Sequence, residues 1–268
     1  MEMGREQNPM RSPDISYFYK YRSLAGTSRE WTLATLTERS LYFANPKTFN
    51  DPFDCRPIYS MDCSDEEFLK YAKFVLDTKG AGLSPDQRSE IESKFKEPGM
   101  RDKLLESMAE SHEARVLDAV GVCSVSETFE NVLMWSHYAD EHRGLCFQFN
   151  ASRYRPFFGR AQKVLYRTEM PVLNRIKKSN LENLEAALLT KAADWAYERE
   201  WRIIDHEQNA GVRQFPAEDL CGVILGYRIS EENAAEVREA VRKIHPTVVV
   251  YKAMPHPSEF KIQITTAA

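Results

Sequence analysis

The feature that most constrains this chain is the shortness and irregular placement of its apolar runs. GVCSVS (121–126), LCFQF (145–149), CGVILG (221–226) and VVVYKA (248–253) are bounded by turn residues, and the helical patterns between them have no regular period. A doubly wound parallel sheet needs a helix after every strand. Short strands mixed irregularly with helices instead predict an α+β fold, with short, mostly antiparallel strands in a split, cleft-bearing β core and helices flanking it.

The remaining elements follow from local patterns. YFYKYRSL (17–24) reads as a first strand, with Tyr17, Tyr19 and Tyr21 on one side and Phe18, Lys20 and Arg22 on the other. Thr27 and Glu30 have capping-box spacing and open a short helix, followed by a strand at 41–44. Asn45-Pro46 and Asn50-Asp51-Pro52 are turn chemistry, with Phe49 and Phe53 expected to anchor that loop in the core. From about 64 to 119 the spacing turns helical, predicting a helical insertion within a single domain spanning 16–265. Thr128 or Glu130 leads into a helix through NVLMWSHYAD, and KVLYR (163–167) reads as a strand. The leucines from Leu181 to Leu189 form an amphipathic helix reaching Trp195, and Ser230 opens another to Lys243. Residues 1–15 read as a loose tail.

Composition then limits the function classes. Charged residues make up 28% and apolar residues 43%, as in an ordered globular protein. A net charge of −4, from 36 basic and 40 acidic residues, argues against a broad footprint on duplex nucleic acid. The first residues lack the hydrophobic core of a signal peptide and no apolar run is long enough for a membrane span, so a cytoplasmic protein with no membrane partner is expected. The five cysteines are scattered without a CxxC pair, which supports neither a disulfide framework nor a zinc knuckle; Cys123, Cys146 and Cys221 read as buried thiols.

The stretch AYEREWRII (196–204) sets Glu198 and Glu200 among aromatic residues. If 198–204 is extended, Glu198, Glu200 and Arg202 share one side, where they form either a Glu–Arg network or a carboxylate wall facing a sugar. Tyr19, Lys20 and Arg22 suit a phosphate clamp or an edge strand. Ser124 and Ser126 share one side of their strand, and the next helix carries Trp135, His137 and Tyr138. No HExxH motif occurs, and no metal is called for.

The blocks YKYRSL, LYFANPKTFNDPFDC, CSVSETFENVLMWSHYADEHRGLCFQF, YEREWRI and ILGYRIS resemble the bacterial domain-of-unknown-function family 2971 across about 17–262. More remotely, the order of an aromatic-basic first strand, a serine-bearing middle strand and a late glutamate motif is similar to that of mono-ADP-ribosyltransferases. That resemblance implies NAD as a co-substrate. Arg22 would support the nicotinamide-side ribose or phosphate, with Lys20 and Tyr19 beside it, and Ser124 or Ser126 would shape the nicotinamide pocket. Glu200 would engage the ribose during glycosidic cleavage, with Glu198 as upstream acid. Trp135, His137 and Tyr138 would lie at the cofactor, with Trp135 or Tyr138 stacking on the cationic ring. The middle motif reads Ser-Val-Ser where that family commonly has Ser-Thr-Ser. The implied activity is cleavage of the nicotinamide–ribose bond, with ADP-ribose passing to an unknown acceptor or to water. Two other readings stand beside it: a non-enzymatic module for a ligand or partner protein, and a metal-dependent hydrolase using Asp51, Asp54, His137 and Glu200.

Overall fold

The structure, a computed structural model, describes residues 15–111 and 117–266. The loose tail expected over 1–15 therefore lies outside the described residues, apart from Ile15. In chain order the strands are β1 (Tyr17–Arg22), β2 (Ser40–Phe43), β3 (Ile58–Tyr59), β4 (Gly121–Ser126), β5 (Leu145–Asn150), β6 (Gln162–Lys163), β7 (Leu165–Arg167), β8 (Val172–Leu173), β9 (Thr190–Ala192), β10 (Glu200–Asp205), β11 (Gly211–Gln214), β12 (Leu220–Leu225), β13 (Val249–Pro255) and β14 (Ile262–Thr266). The α-helices are α1 (Ser28–Thr37), α2 (Asp65–Lys79), α3 (Pro85–Lys94), α4 (Met100–Ser111), α5 (Val132–Tyr138), α6 (Asn180–Leu189) and α7 (Glu231–Ile244). The fold is α+β. The described residues divide into two units, one within 15–45, 120–166 and 193–266, the other within 46–111, 117–119 and 167–192.

The first unit is built on an eight-stranded mixed sheet in the order β14-β13-β12-β5-β1-β4-β10-β6. Its neighbours are antiparallel except β12 and β13, whose parallel pairing requires a crossover, supplied by α7. Ser230 caps α7 by accepting from the Asn233 amide, as the sequence predicts. The central strand β5 is buried from Leu145 to Phe149 because both faces of the sheet are covered. On one face Phe18, Val125, Phe147, Trp201 and Ile203 join Leu36 of α1 and Val237 and Val241 of α7 in a core. On the other, Tyr19, Tyr21 and Cys146 pack with Met134 and Trp135 of α5. Each fully buried side chain of this size contributes about 1.5–3 kcal/mol.

The sheet is pinched at its centre. β1 registers with β5 along its whole length, from Tyr17↔Asn150 to Arg22↔Leu145, but with β4 only at Tyr19↔Ser126. Beyond that pair the strands part, and the Lys20 ammonium donates to the Ser124 carbonyl at 2.6 Å.

Several local expectations need correction. Thr27 makes no side-chain cap for α1, its backbone being helical rather than extended. The cap of α5 is Asn131, whose side chain accepts from the Leu133 and Met134 amides, not Thr128 or Glu130. The helix expected to reach Trp195 stops at Leu189, and a short strand and a 3₁₀ turn (Ala193–Glu198) follow. Gly144 is required by crowding: a Cβ there would lie 2.1 Å from the Arg22 carbonyl oxygen.

The second unit contains α2, α3, α4 and α6 with the parallel pair β3–β8. Ser64 with Glu67, Ser84 with Gln87, and Ser179 with Glu182 close reciprocal capping boxes at the starts of α2, α3 and α6. Asp51 forms the expected turn, accepting from the Phe53 amide at 2.9 Å. Asp54 is buried with Lys191, the charges 3.8 Å apart. Phe53 is not a core anchor: it is 60% exposed.

Candidate functional site

The cross-strand register of the first unit places three distant segments side by side. Tyr19 of β1 opposes Ser126 of β4, and Ser126 opposes Glu200 of β10. Directly paired residues point to one face of a sheet, so the three share the face covered by α5. Gln148 opposes Tyr19 from β5 and donates to its hydroxyl at 3.2 Å, while Arg202 opposes Ser124. Burial pushes the Tyr19 phenol up to about 12, keeping it neutral.

The two acids do not share one extended strand. Arg199 adopts a left-handed backbone with φ of 45°, so Glu198 ends the 3₁₀ turn and Glu200 begins β10. Glu198 is 3% exposed, and its carboxylate accepts from the Tyr138 hydroxyl at 2.5 Å. The Ser126 hydroxyl fixes the same turn by donating to the Glu198 carbonyl at 2.6 Å. Glu200 and Arg202 do share a side, and Arg202 holds both Glu200 carboxylate oxygens, Nε to Oε1 at 2.8 Å and Nη2 to Oε2 at 3.2 Å. This ion pair is in the interior: Glu200 is 5% and Arg202 0% exposed. The Glu200 amide donates to the Tyr166 hydroxyl at 2.8 Å.

Lys20 and Arg22 are placed differently. They oppose Phe147 and Leu145, residues of the core on the other face, so their side chains leave β1 on the face opposite Ser126 and Glu200. Burial, reinforced by the neighbouring Arg22 charge, lowers the Lys20 ammonium to about 8. Burial also lowers Arg22, whose Nε is buried with no hydrogen-bond partner. The register thus brings Tyr19, Ser126 and Glu200 together, with Ser124 beside them, and sets Lys20 and Arg22 apart.

The α5 residues divide similarly. Trp135 is fully buried, edge-on to Tyr21 at 5.2 Å, with its indole N–H on the Phe129 carbonyl at 2.7 Å. Its rings are core in this structure. His137 is exposed and Tyr138 half-buried, and both lie near Tyr197 or one another with ring centroids 6.3 Å apart.

Three contributors escape the sequence reading. Tyr166 and Gln148 sit in strand-like runs that look purely structural, and only cross-strand register reveals them. Glu127 accepts from the Trp201 indole at 3.0 Å and lies 3.4 Å from the Lys163 ammonium, bracing β10 against β6. Among the described residues no group of three or more His, Cys, Asp or Glu side chains is arranged to hold a metal ion, and no helix is long and apolar enough to cross a membrane. Cys123 and Cys146 are buried free thiols, whereas Cys221 is only partly covered.

Residues 134–203 match the family described as "Protein of unknown function (DUF2971)". The segment runs from α5 into β10 and so contains Tyr138, Glu198 and Glu200. No curated protein and no solved structure matches the chain.

Proposed function

We propose, starting from a chain whose residues 134–203 carry the DUF2971 segment, that the protein is ADP-ribosyltransferase-like. It binds NAD and cleaves the nicotinamide–ribose bond, passing ADP-ribose to an acceptor or to water. The observation that carries the reading is the row Tyr19–Ser126–Glu200, with the Tyr138-held Glu198 two residues upstream of the row's acid.

The chemistry suits such a row. When the C1′–N bond breaks, its electron pair leaves with nicotinamide, which becomes neutral, and positive charge spreads over the ribose ring carbon and oxygen. A fixed carboxylate stabilises that charge by on the order of 10² or more in rate. Each carboxylate oxygen has two acceptor sites, so Glu200 can accept from a ribose hydroxyl while its Arg202 pairing sets its orientation. The acceptor then adds at C1′ and releases its proton. Since Trp135 is buried, stacking on the cationic ring falls to Tyr138. Five free cysteines accord with a reducing cytoplasm.

A second reading, a non-enzymatic ligand-binding module, is favoured by one observation: both Glu200 oxygens are taken by a fully buried arginine, as in a purely structural ion pair. Thermal-shift titration with NAD, run beside a nicotinamide-release assay, separates the two. Stabilisation with release supports the enzyme, and stabilisation without release supports the module.

A further inference from the structure

Gln148 of β5 pairs with Tyr19 of β1 on one side and with Gly222 of β12 on the other, so the three share the α5 face of the sheet. Gln148 and Tyr19 are each 7% exposed. Gln148 Nε2 donates to the Tyr19 hydroxyl at 3.2 Å, and neither side chain makes another hydrogen bond to a described residue. The Tyr19 proton and the Gln148 carbonyl oxygen are therefore both left over, and the oxygen is open to solvent rather than sealed in the interior. That oxygen lies above Gly222. A Cβ there would sit 2.5 Å from it and 3.0 Å from the Tyr251 ring, so glycine leaves a notch that any side chain would fill. Tyr251 walls the notch from β13, and Phe129 packs on Tyr19 at the β1 side, with ring centroids 5.3 Å apart. The exposed Tyr17 leaves β1 on the same face. Buried polar groups that keep spare donors and acceptors cost free energy until a ligand or water pairs with them.

We propose that this notch binds a neutral planar heterocycle by its amide-type edge, a ring N–H donating to Gln148 Oε1 and the adjacent C=O accepting from the Tyr19 hydroxyl. The aromatic walls supply the apolar contact that a flat ring needs. The polar pair supplies discrimination, because a ring without the N–H leaves the Gln148 oxygen unpaired. None of the six residues carries a formal charge, which favours an uncharged ring over an ion. The notch lies on the β5–β12–β13 side of Tyr19 and Glu200 on the β4–β10 side, so it functions whether or not the protein cleaves NAD. Its occupant is either a free base or the base of a nucleoside.

The test is thermal denaturation of the full chain with uracil, hypoxanthine, uridine and 1,3-dimethyluracil. Uracil or hypoxanthine raises the midpoint by ~2–4 °C at saturation, and 1,3-dimethyluracil, which has no ring N–H, leaves it unchanged. A larger shift with hypoxanthine identifies a fused ring as the occupant, and a larger shift with uridine than with uracil identifies a nucleoside. Gln148→Met, similar in size, abolishes the shift, and Tyr19→Phe weakens it. Gly222→Ala also abolishes it, by filling the notch without removing a polar group. Should Gln148→Met fail to fold, saturation-transfer NMR of uracil on the wild-type chain, with 1,3-dimethyluracil as control, reads the same N–H requirement. The proposal is overturned if neither base shifts the midpoint or takes up saturation, if 1,3-dimethyluracil matches uracil, or if the shift survives in folded Gln148→Met. Nicotinamide release from NAD, present or absent, bears only on the cleavage reading.

Discussion

The Tyr138 hydroxyl donates to the Glu198 carboxylate at 2.5 Å, joining the helix after β4 to the acid before β10. The bond holds a buried carboxylate in place across a gap of sixty residues in sequence. Tyr138→Phe removes the donor and leaves the ring. It is expected to lower stability by about 1–3 kcal/mol, measured by urea unfolding, because a buried charged acceptor loses a partner.

Arg202→Met leaves Glu200 buried without its main partner, at a cost of about 3–5 kcal/mol. The double variant Glu200→Gln/Arg202→Met removes both charges and regains part of that loss. A double-mutant cycle in unfolding free energy measures the coupling, and strict additivity would show that the two do not act as a pair.

Asp219 predicts an unusual pH response. Its carboxylate is fully buried, neither oxygen has a hydrogen-bond donor, and Arg155 lies 3.3 Å away. Burial raises it from 3.8 to about 6, outweighing Arg155. The folded state therefore holds this proton more tightly than the unfolded state. Its contribution to stability falls as pH rises from about 4 to about 6. Asp219→Asn should raise stability at pH 7 by about 1–3 kcal/mol and flatten the profile between those limits. Thermal midpoints across pH 4–7 for both proteins check it.

Gly144→Ala would push a methyl group to 2.1 Å from the Arg22 carbonyl oxygen, a backbone atom that no side-chain rotation can move aside. β1 and β5 must then separate at their pairing of Arg22 with Leu145. The expected outcome is a loss of about 2 kcal/mol or more, read from the urea midpoint, where an ordinary surface Gly→Ala is close to neutral.

The strands were legible where alternation and burial agree. β4 is predicted residue for residue, and the two sides of β1 divide as expected, with Tyr19 and Tyr21 in one core and Phe18 in the other. Capping was legible at Ser230 but misread at Thr27, because a capping box needs an extended residue and spacing alone does not report backbone angle. The kink at Arg199 left no trace either: a left-handed arginine has no sequence signature, so Glu198 and Glu200 looked like neighbours on one strand. For the site, motif order sets Arg22, Ser124 or Ser126, and Glu200 around one cleft. Only the register could show that Arg22, three residues beyond Tyr19, faces the other way.

Nicotinamide release from NAD, followed by chromatography with the wild-type chain, Glu200→Gln and Glu198→Gln side by side, tests the central claim most directly. The account predicts release by the wild type and a fall of about 10²-fold or more in Glu200→Gln, with all three proteins folded. Equal release by wild type and Glu200→Gln, or none from a wild-type protein that NAD nonetheless stabilises, would contradict it.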